Sequence, residues 1–288
     1  MNSSAPLESA PPPTSAVSPL VQRLLNLIQA EDYSPPQLPS TAVELLELAR
    51  QDAVQPSAMV GLLERDPMLA AELLRLAQSS AYGAGSSVRT LDEAIVRLGL
   101  RRTAELFLHV ALEARVFRAA GYQTKMNDLR KHSVAVAHLS RLVARQAGVL
   151  DQSAFICGLL HDVGIAATLI ALVETCPADE QVPDFSEVWP AIETVHLQAG
   201  GILASTWRFP SEVTYVIERH HDFVENGTTH PLSAVVNLAD WLAAQLGRGF
   251  SDERSGPSQE EVFHALKLSE SDGSKLLDKA SRLLERLS

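Results

Sequence analysis

Apolar side chains recur at helical spacing along most of this chain, and this periodicity limits its fold more strongly than any other feature. Period-2 alternation between turn signals, which half-buried strands would show, is almost absent. The pattern therefore predicts an all-α protein. In the first helical segment the apolar face consists of Leu20, Val21, Leu24, Leu25 and Ile28.

Composition divides the chain into four predicted regions. Residues 1–17 are rich in Ser, Pro and Ala and cannot bury enough apolar surface to offset the entropy of ordering, so we expect a disordered tail. A glycine-containing break separates a first helical block, 18–125, from a second one, 126–247, whose first helix should start near Asn127. A polar stretch then leads to terminal helices within 248–288.

Capping signals predict where three helices of the first block begin. Thr41 with Glu44, and Thr90 with Glu93, have the spacing of a capping box. Asp66 precedes Pro67, a combination typical of an N-cap followed by a first-turn proline.

Charge and cysteine content restrict the function and the compartment. The formal net charge of -11 argues against direct nucleic-acid binding, which usually requires a basic surface. With only two cysteines, and with neither a signal peptide nor a long uninterrupted apolar run, the chain is expected in the cytoplasm and not in a membrane. Cys157 lies in an apolar segment and is expected to be a buried thiol.

The segment 158–166, GLLHDVGIA, places a histidine and an aspartate inside an apolar run. Burying either side chain without a partner would be costly, so the pair is either solvated at a helix edge or bound to something. Imidazole and carboxylate are ligands of divalent transition metals, and helical bundles build such sites from facing helices. The candidate ligands are His132, His161, Asp162, His196, His220, His221 and Asp240.

Each candidate also has a simpler explanation. His132 or His196, taken alone, is more often an ordinary surface or first-turn residue than a ligand. The pair His220 and His221 could instead form a helix C-terminus, where an imidazolium interacts favourably with the helix dipole. Asp240 lies in an apolar run but could occupy an exposed face. The remaining histidines are expected to be ordinary surface or core residues: His109, His138, His230 and His264.

The order of these residues resembles the HD-type metal-dependent phosphohydrolase superfamily over roughly 126–245. In that superfamily a metal-activated water attacks a phosphate ester. The resemblance implies one or two divalent ions, and His/Asp ligands do not distinguish iron, manganese, zinc, nickel and cobalt. The ligands it implies for the first ion are His132, His161, Asp162 and Asp240. Those it implies for a second ion, or for the phosphate, are His196, His220 and His221.

Two features depart from the cyclic-dinucleotide phosphodiesterases of that superfamily. Ile165 stands where those enzymes have a phosphate-binding lysine, and their Gly-Tyr-Pro loop is missing after His221. Both differences argue against efficient hydrolysis of a cyclic dinucleotide. Asp128, one turn before His132, could take the place of an additional carboxylate ligand found in those enzymes.

The first block is similar to a more specific family. The stretches LPSTAVELLELARQ, ERDPMLAAELLRLAQSSAYG and TLDEAIVRLGLRRTAEL resemble successive segments of the HDOD domain, an HD-related output domain of bacterial signalling proteins. Gln78 stands where an asparagine is common. The resemblance spans approximately 38–246 and implies an HD-like helical bundle preceded by an N-terminal helical subdomain.

Three functions follow from this resemblance. The first is a signalling output protein with an HD-type metal site that acts by binding a protein partner or a nucleotide or phosphate ligand. The second is a metal-dependent phosphohydrolase or phosphodiesterase that acts on a nucleotide or a cyclic dinucleotide. The third is a protein in which the site is vestigial. Many HDOD members have lost metal ligands, whereas this chain keeps a nearly full set.

Overall fold

The computed structural model describes residues 19–31, 33–51, 54–79, 88–149, 152–176, 181–251 and 256–287. Its architecture in these residues is helical, as predicted, with one short hairpin. The predicted tail at 1–17 lies outside the described residues.

The helices follow one another with short connections. Those of the first half are α1 (Pro19–Gln29), α2 (Ser40–Leu48), α3 (Pro56–Leu63), α4 (Pro67–Ala77), α5 (Leu91–Leu98) and α6 (Leu100–Arg115). Next come α7 (Gln123–Ala147), α8 (Ala154–Leu160), α9 (Val163–Glu174), α10 (Phe185–Thr206) and α11 (Ser211–Arg219). Strands β1 (Val224–Glu225) and β2 (Thr228–Thr229) pair antiparallel before α12 (Pro231–Gln245), α13 (Gln259–Ala265) and α14 (Glu270–Leu287).

Two of the three predicted helix starts are confirmed. The Asp66 side chain accepts a hydrogen bond from the backbone N–H of Leu69, and Pro67 occupies the first turn of α4. Thr90 likewise caps α5 by accepting from the N–H of Glu93, although the Glu93 carboxylate accepts from Arg89 and not from the cap residue.

The third predicted start is wrong. Helix α2 begins at Ser40, after Pro39, so Thr41 lies inside the helix and is buried. Its hydroxyl therefore does not cap the helix, and the Glu44 carboxylate instead pairs with Arg65 of the α3–α4 connection. Pro39 restricts the backbone just before the helix and occupies the N-cap position that the sequence pattern assigned to Thr41.

Helix α7 is the long central element of the second block. It starts at Gln123, earlier than predicted, and packs against α8, α12 and α14. Helices α9 and α10 pack closely against each other, and α1 lies across both of them. Although α1 was assigned to the first block, it thus contacts helices that carry the site described below.

The two helices on either side of the HD pair form the most apolar part of the chain. Segment Ala154–Glu174 is long and apolar enough to cross a membrane, but 89% of its most apolar window is buried inside the protein. It thus forms the middle of the core. Cys157 is buried there, as predicted, and it forms no disulfide with Cys176.

Candidate metal centre

The residues proposed as metal ligands come together at one site. They are supplied by the middle of α7, the junction of α8 and α9, α10, the end of α11, and α12. They form two groups, and within each group the ligand atoms lie within 4.8 Å of one another. One group is His132, His161 and Asp240; the other is Asp162, His196, His220 and His221.

The first group surrounds the Nε2 atom of His132. That atom lies 3.2 Å from Nε2 of His161 and 3.4 Å from an oxygen of Asp240. Asp162 closes the group with Oδ2, which is 3.4 Å from His132 and 3.2 Å from His161.

The other oxygen of Asp162 faces the second group. Its Oδ1 lies 3.7 Å from Nε2 of His196 and 3.4 Å from Nε2 of His220. The ring of His221 packs beside both, with its centroid 5.0 Å and 4.3 Å from theirs. Asp162 therefore faces both groups and would contribute an oxygen to a metal held by either of them.

A break between helices aims the HD pair at this site. The sequence pattern placed both residues on one helix, but α8 ends at Leu160 and α9 begins at Val163. Asp162 occupies the N-cap position of α9 without accepting a capping hydrogen bond, which leaves both of its oxygens facing the histidines.

Four of the histidines are oriented by backbone carbonyls. The Nδ1 atoms of His161, His196 and His220 lie 2.9, 2.7 and 2.9 Å from the carbonyl oxygen three residues earlier in each case. His132 is held instead by the carbonyl of Arg248, at 2.8 Å. Because a carbonyl can only accept, each Nδ1 donates a proton, and each Nε2 of a neutral ring presents a lone pair to the centre.

This donor set fits a bound cation. Nε2 of His196 and Nε2 of His220 are buried and have no hydrogen-bond partner in the described part of the chain. Leaving such atoms unsatisfied is costly. A divalent ion would satisfy both of them, and the mixed nitrogen and oxygen ligands suit a transition metal.

Burial and the Asp162 carboxylate shift the pKa values of the site residues in opposite directions. Burial lowers the pKa of His196 to about 4 and that of His221 to about 2, so both rings are neutral near pH 7. Burial also opposes charge on His161, but the Asp162 carboxylate outweighs it and raises the pKa of His161 to about 9. Although burial disfavours ionised Asp162, the histidines around it hold its pKa well below the usual value. The centre thus attracts positive charge.

The cavity above the centre is small, and its described lining includes histidines but no lysine or arginine. It has a volume of about 50 Å³, which is room for a few water molecules or a phosphate group. Trp189 and Phe250 form an aromatic wall at 5.5 Å from each other, and Glu193 lines the same cavity. Ile165 also lines it, so the place of the phosphate-binding lysine is apolar here, and no lysine or arginine is among the described lining residues.

A family comparison identifies this helical architecture. The model of the HDOD domain matches residues 36–223, which is more than half of the chain. The chain belongs to the HDOD domain family. The expected family and the all-α fold are thereby confirmed, and the match includes every candidate ligand except Asp240.

Curated proteins match this HDOD chain over only part of their own length. A protein of Treponema pallidum (strain Nichols) is 29% identical over 196 residues, which are 65% of this chain and 37% of that protein. Ribonuclease Y of Deinococcus radiodurans is 32% identical over 135 residues, or 47% of this chain and 19% of the enzyme. The chain therefore spans well under half the length of these relatives.

Solved structures share the fold over nearly the whole chain. An HDOD domain protein of Geobacter sulfurreducens has a TM-score of 0.66 at 21% identity, and the alignment covers 92% of this chain and 97% of that one. A protein of Shewanella amazonensis described as a metal-dependent phosphohydrolase has a TM-score of 0.67 at 18% identity, with 92% and 95% covered. At these identities the likeness concerns the fold.

The HDOD structure also answers several questions that the sequence left open. His132 lies well inside α7 and is buried, and His196 is buried in α10. His220 and His221 do follow the C-terminus of α11, so this helix end and the cluster coincide. Asp240 is half-buried and faces His132, as described above.

One additional ligand proposed from the sequence is misplaced. Asp128 is exposed and belongs to neither group. Sequence reasoning also missed the aromatic wall and the Arg248 carbonyl, for which a local pattern gives no signal.

Proposed function

We propose that this HDOD chain is a signalling output protein that works by binding, with a divalent metal centre that has a structural or ligand-sensing role. The observation that carries the proposal is the contrast within one cavity: a full set of ligand atoms converges, yet Ile165 and aromatic side chains line the space where a phosphate would need cationic contacts. We also propose that the protein acts in the cytoplasm, because its most apolar segment is core.

The residues have distinct tasks in this proposal. Asp162 bridges the two groups, the Nδ1 donors keep the rings aligned, and Trp189 with Phe250 restricts access to small ligands. A divalent ion bound here would supply Lewis-acid charge to a phosphate oxygen and lower the pKa of a water molecule. A phosphate or nucleotide phosphate that enters this cavity would therefore bind mainly through the metal.

A metal-dependent phosphodiesterase is the second candidate. It is favoured by the complete ligand set and by the relatedness of this chain to Ribonuclease Y, whose name denotes cleavage of RNA. Its substrate here would be a nucleotide, a cyclic dinucleotide or an RNA end. The same centre would serve, with Asp162 holding both ions beside the scissile phosphate.

Turnover separates the two candidates. Metal-loaded protein, incubated with nucleoside phosphates, cyclic dinucleotides and a short RNA, should release no more product than an Asp162→Ala variant. The reason is that no lysine or arginine among the described lining residues positions the phosphate. Chromatography of the products measures this. Hydrolysis by the unsubstituted protein that disappears in Asp162→Ala would instead establish the phosphodiesterase.

The first helical block is the proposed surface for a protein partner. The two most exposed large apolar side chains in the described ranges, Met68 on α4 and Val96 on α5, are 84% and 80% exposed, and these two helices pack against each other. Exposed apolar side chains that contact a partner carry much of the binding energy.

A charge-introducing double substitution tests this surface. Met68→Glu with Val96→Glu should reduce co-purification of the cellular partner by about tenfold or more, since two carboxylates would be desolvated at the interface. The matched control is Val224→Glu with Leu277→Glu, which adds the same charge at other exposed apolar positions. Equal recovery with both double variants would place the partner elsewhere.

A further inference from the structure

A cluster of arginines lines a cleft that shares none of its lining residues with the cavity at the metal centre. The cleft has a volume of about 290 Å³ and lies where the start of α6 meets α7. Arg101 and Arg102 come from α6, and Arg141 and Arg145 from α7. In a chain with a net charge of -11, four arginines beside a single lining carboxylate, that of Glu105, form a locally basic surface.

Two of these arginines are available to a ligand. Arg101 and Arg102 are exposed and form no ion pair with any described residue. They also occupy the first turn of α6, whose N-cap is Gly99 in a left-handed conformation with φ of 80°. The backbone N–H groups of that turn have no intrahelical acceptors, so they add donors to the same cleft.

The other side of the cleft is already ordered. Arg141 is bonded to the Glu105 carboxylate and lies over the ring of Phe155, 4.6 Å from its centroid. An arginine held in this way loses little further entropy when it binds an anion, and its planar donors match a phosphate.

Glu105 provides the second, independent sign of a ligand. Its side chain is 2% exposed and lines the cleft, and its Oε1 is buried with no hydrogen-bond partner among the described residues. A carboxylate oxygen that lacks a hydrogen-bond donor, in a cleft lined by four arginines, fits an anion that carries its own proton. Inorganic phosphate and pyrophosphate retain such a proton near neutral pH, whereas sulfate does not and a phosphate monoester does so only in part.

We propose that this cleft binds inorganic phosphate or an oligophosphate such as pyrophosphate. The arginines and the first-turn N–H groups of α6 hold the phosphate oxygens, and Glu105 accepts the hydrogen bond from the P–OH group. The volume is near the lower limit of known small-molecule sites, which suits a compact ligand.

The position of the cleft puts a bound ligand close to a helix that leads to the metal centre. Phe155, on which Arg141 rests, is the second residue of α8, and His161 directly follows the end of that helix. The two are separated by about 9 Å along the helix axis, so one short rigid element connects the cleft to the metal centre. A phosphate ligand would also join α6 of the first block to α7 of the second.

Calorimetric titration of the full-length, metal-loaded protein with pyrophosphate tests the site. The expected result is saturable binding that is weakened tenfold or more, on the order of two lost charge-assisted contacts, by Arg101→Gln with Arg102→Gln. Arg23→Gln with Arg118→Gln is the matched control: it removes the same charge at exposed positions outside the cleft and should change the affinity less than about twofold.

Each other outcome contradicts the proposal. Absence of saturable binding would overturn it, and so would equal affinity in the two double variants, because binding at the metal centre or nonspecific attraction does not depend on Arg101 and Arg102. Sulfate should bind at least about tenfold more weakly than pyrophosphate because Glu105 would face an oxygen without a proton. Equal affinity for sulfate would overturn the role of Glu105.

Discussion

An Asp162→Ala variant should purify with roughly one tenth or less of the metal held by the unsubstituted protein. Asp162 is the one side chain that faces both groups, with Oδ2 toward His132 and His161 and Oδ1 toward His196 and His220. Its removal takes one oxygen ligand from each of the two groups, together with the negative charge that lies between them. Metal analysis by inductively coupled plasma mass spectrometry measures the loss.

Two further variants make this result specific. Asp162→Asn keeps the shape of the side chain but not its charge, so its metal content should also fall while its circular dichroism spectrum stays unchanged. Asp128→Ala is the matched control, because it removes an exposed aspartate from α7 outside both groups and should keep its metal. If Asp162→Ala and Asp162→Asn retained the metal content of Asp128→Ala, the assignment of these residues as metal ligands would be wrong.

The ligand residues could be predicted from the sequence because burying their polar side chains without a metal or another partner would be costly. A histidine and an aspartate inside GLLHDVGIA need partners if buried, and the order of the other histidines resembles a known family. Helical periodicity was equally sufficient for the all-α fold. These signals depend on residue type and local spacing, which the sequence displays directly.

Other features of the site depend on how distant helices approach. The carbonyl of Arg248 orients His132 across 116 residues of sequence, and any residue could supply that carbonyl. The arginine cleft combines the start of α6 with the C-terminal part of α7, and neither segment is unusual by itself. The failed cap at Thr41 has a local explanation, since Pro39 takes the N-cap position and the helix starts two residues earlier than a cap at Thr41 would place it.

Gly164→Ala is expected to cause the largest loss of stability among the substitutions considered. A Cβ at this position would lie 1.9 Å from the carbonyl oxygen of His196 and 2.5 Å from the backbone nitrogen of Gly200. Both neighbours are backbone atoms of α10 and cannot rotate away, so α9 and α10 must separate. We expect a loss of about 3 kcal/mol or more in the free energy of unfolding, measured by chemical denaturation.

The same substitution should also lower metal occupancy, because α10 carries His196 and a shift of that helix moves its Nε2 away from Asp162. Gly61→Ala is the matched control: Gly61 lies in α3, a Cβ there meets nothing within 4 Å, and the change should raise stability by about 0.5–1 kcal/mol through helix propensity. A Gly164→Ala variant as stable as Gly61→Ala would mean that α9 and α10 are not in backbone contact, and the position of His196 beside Asp162 would then lose its structural basis.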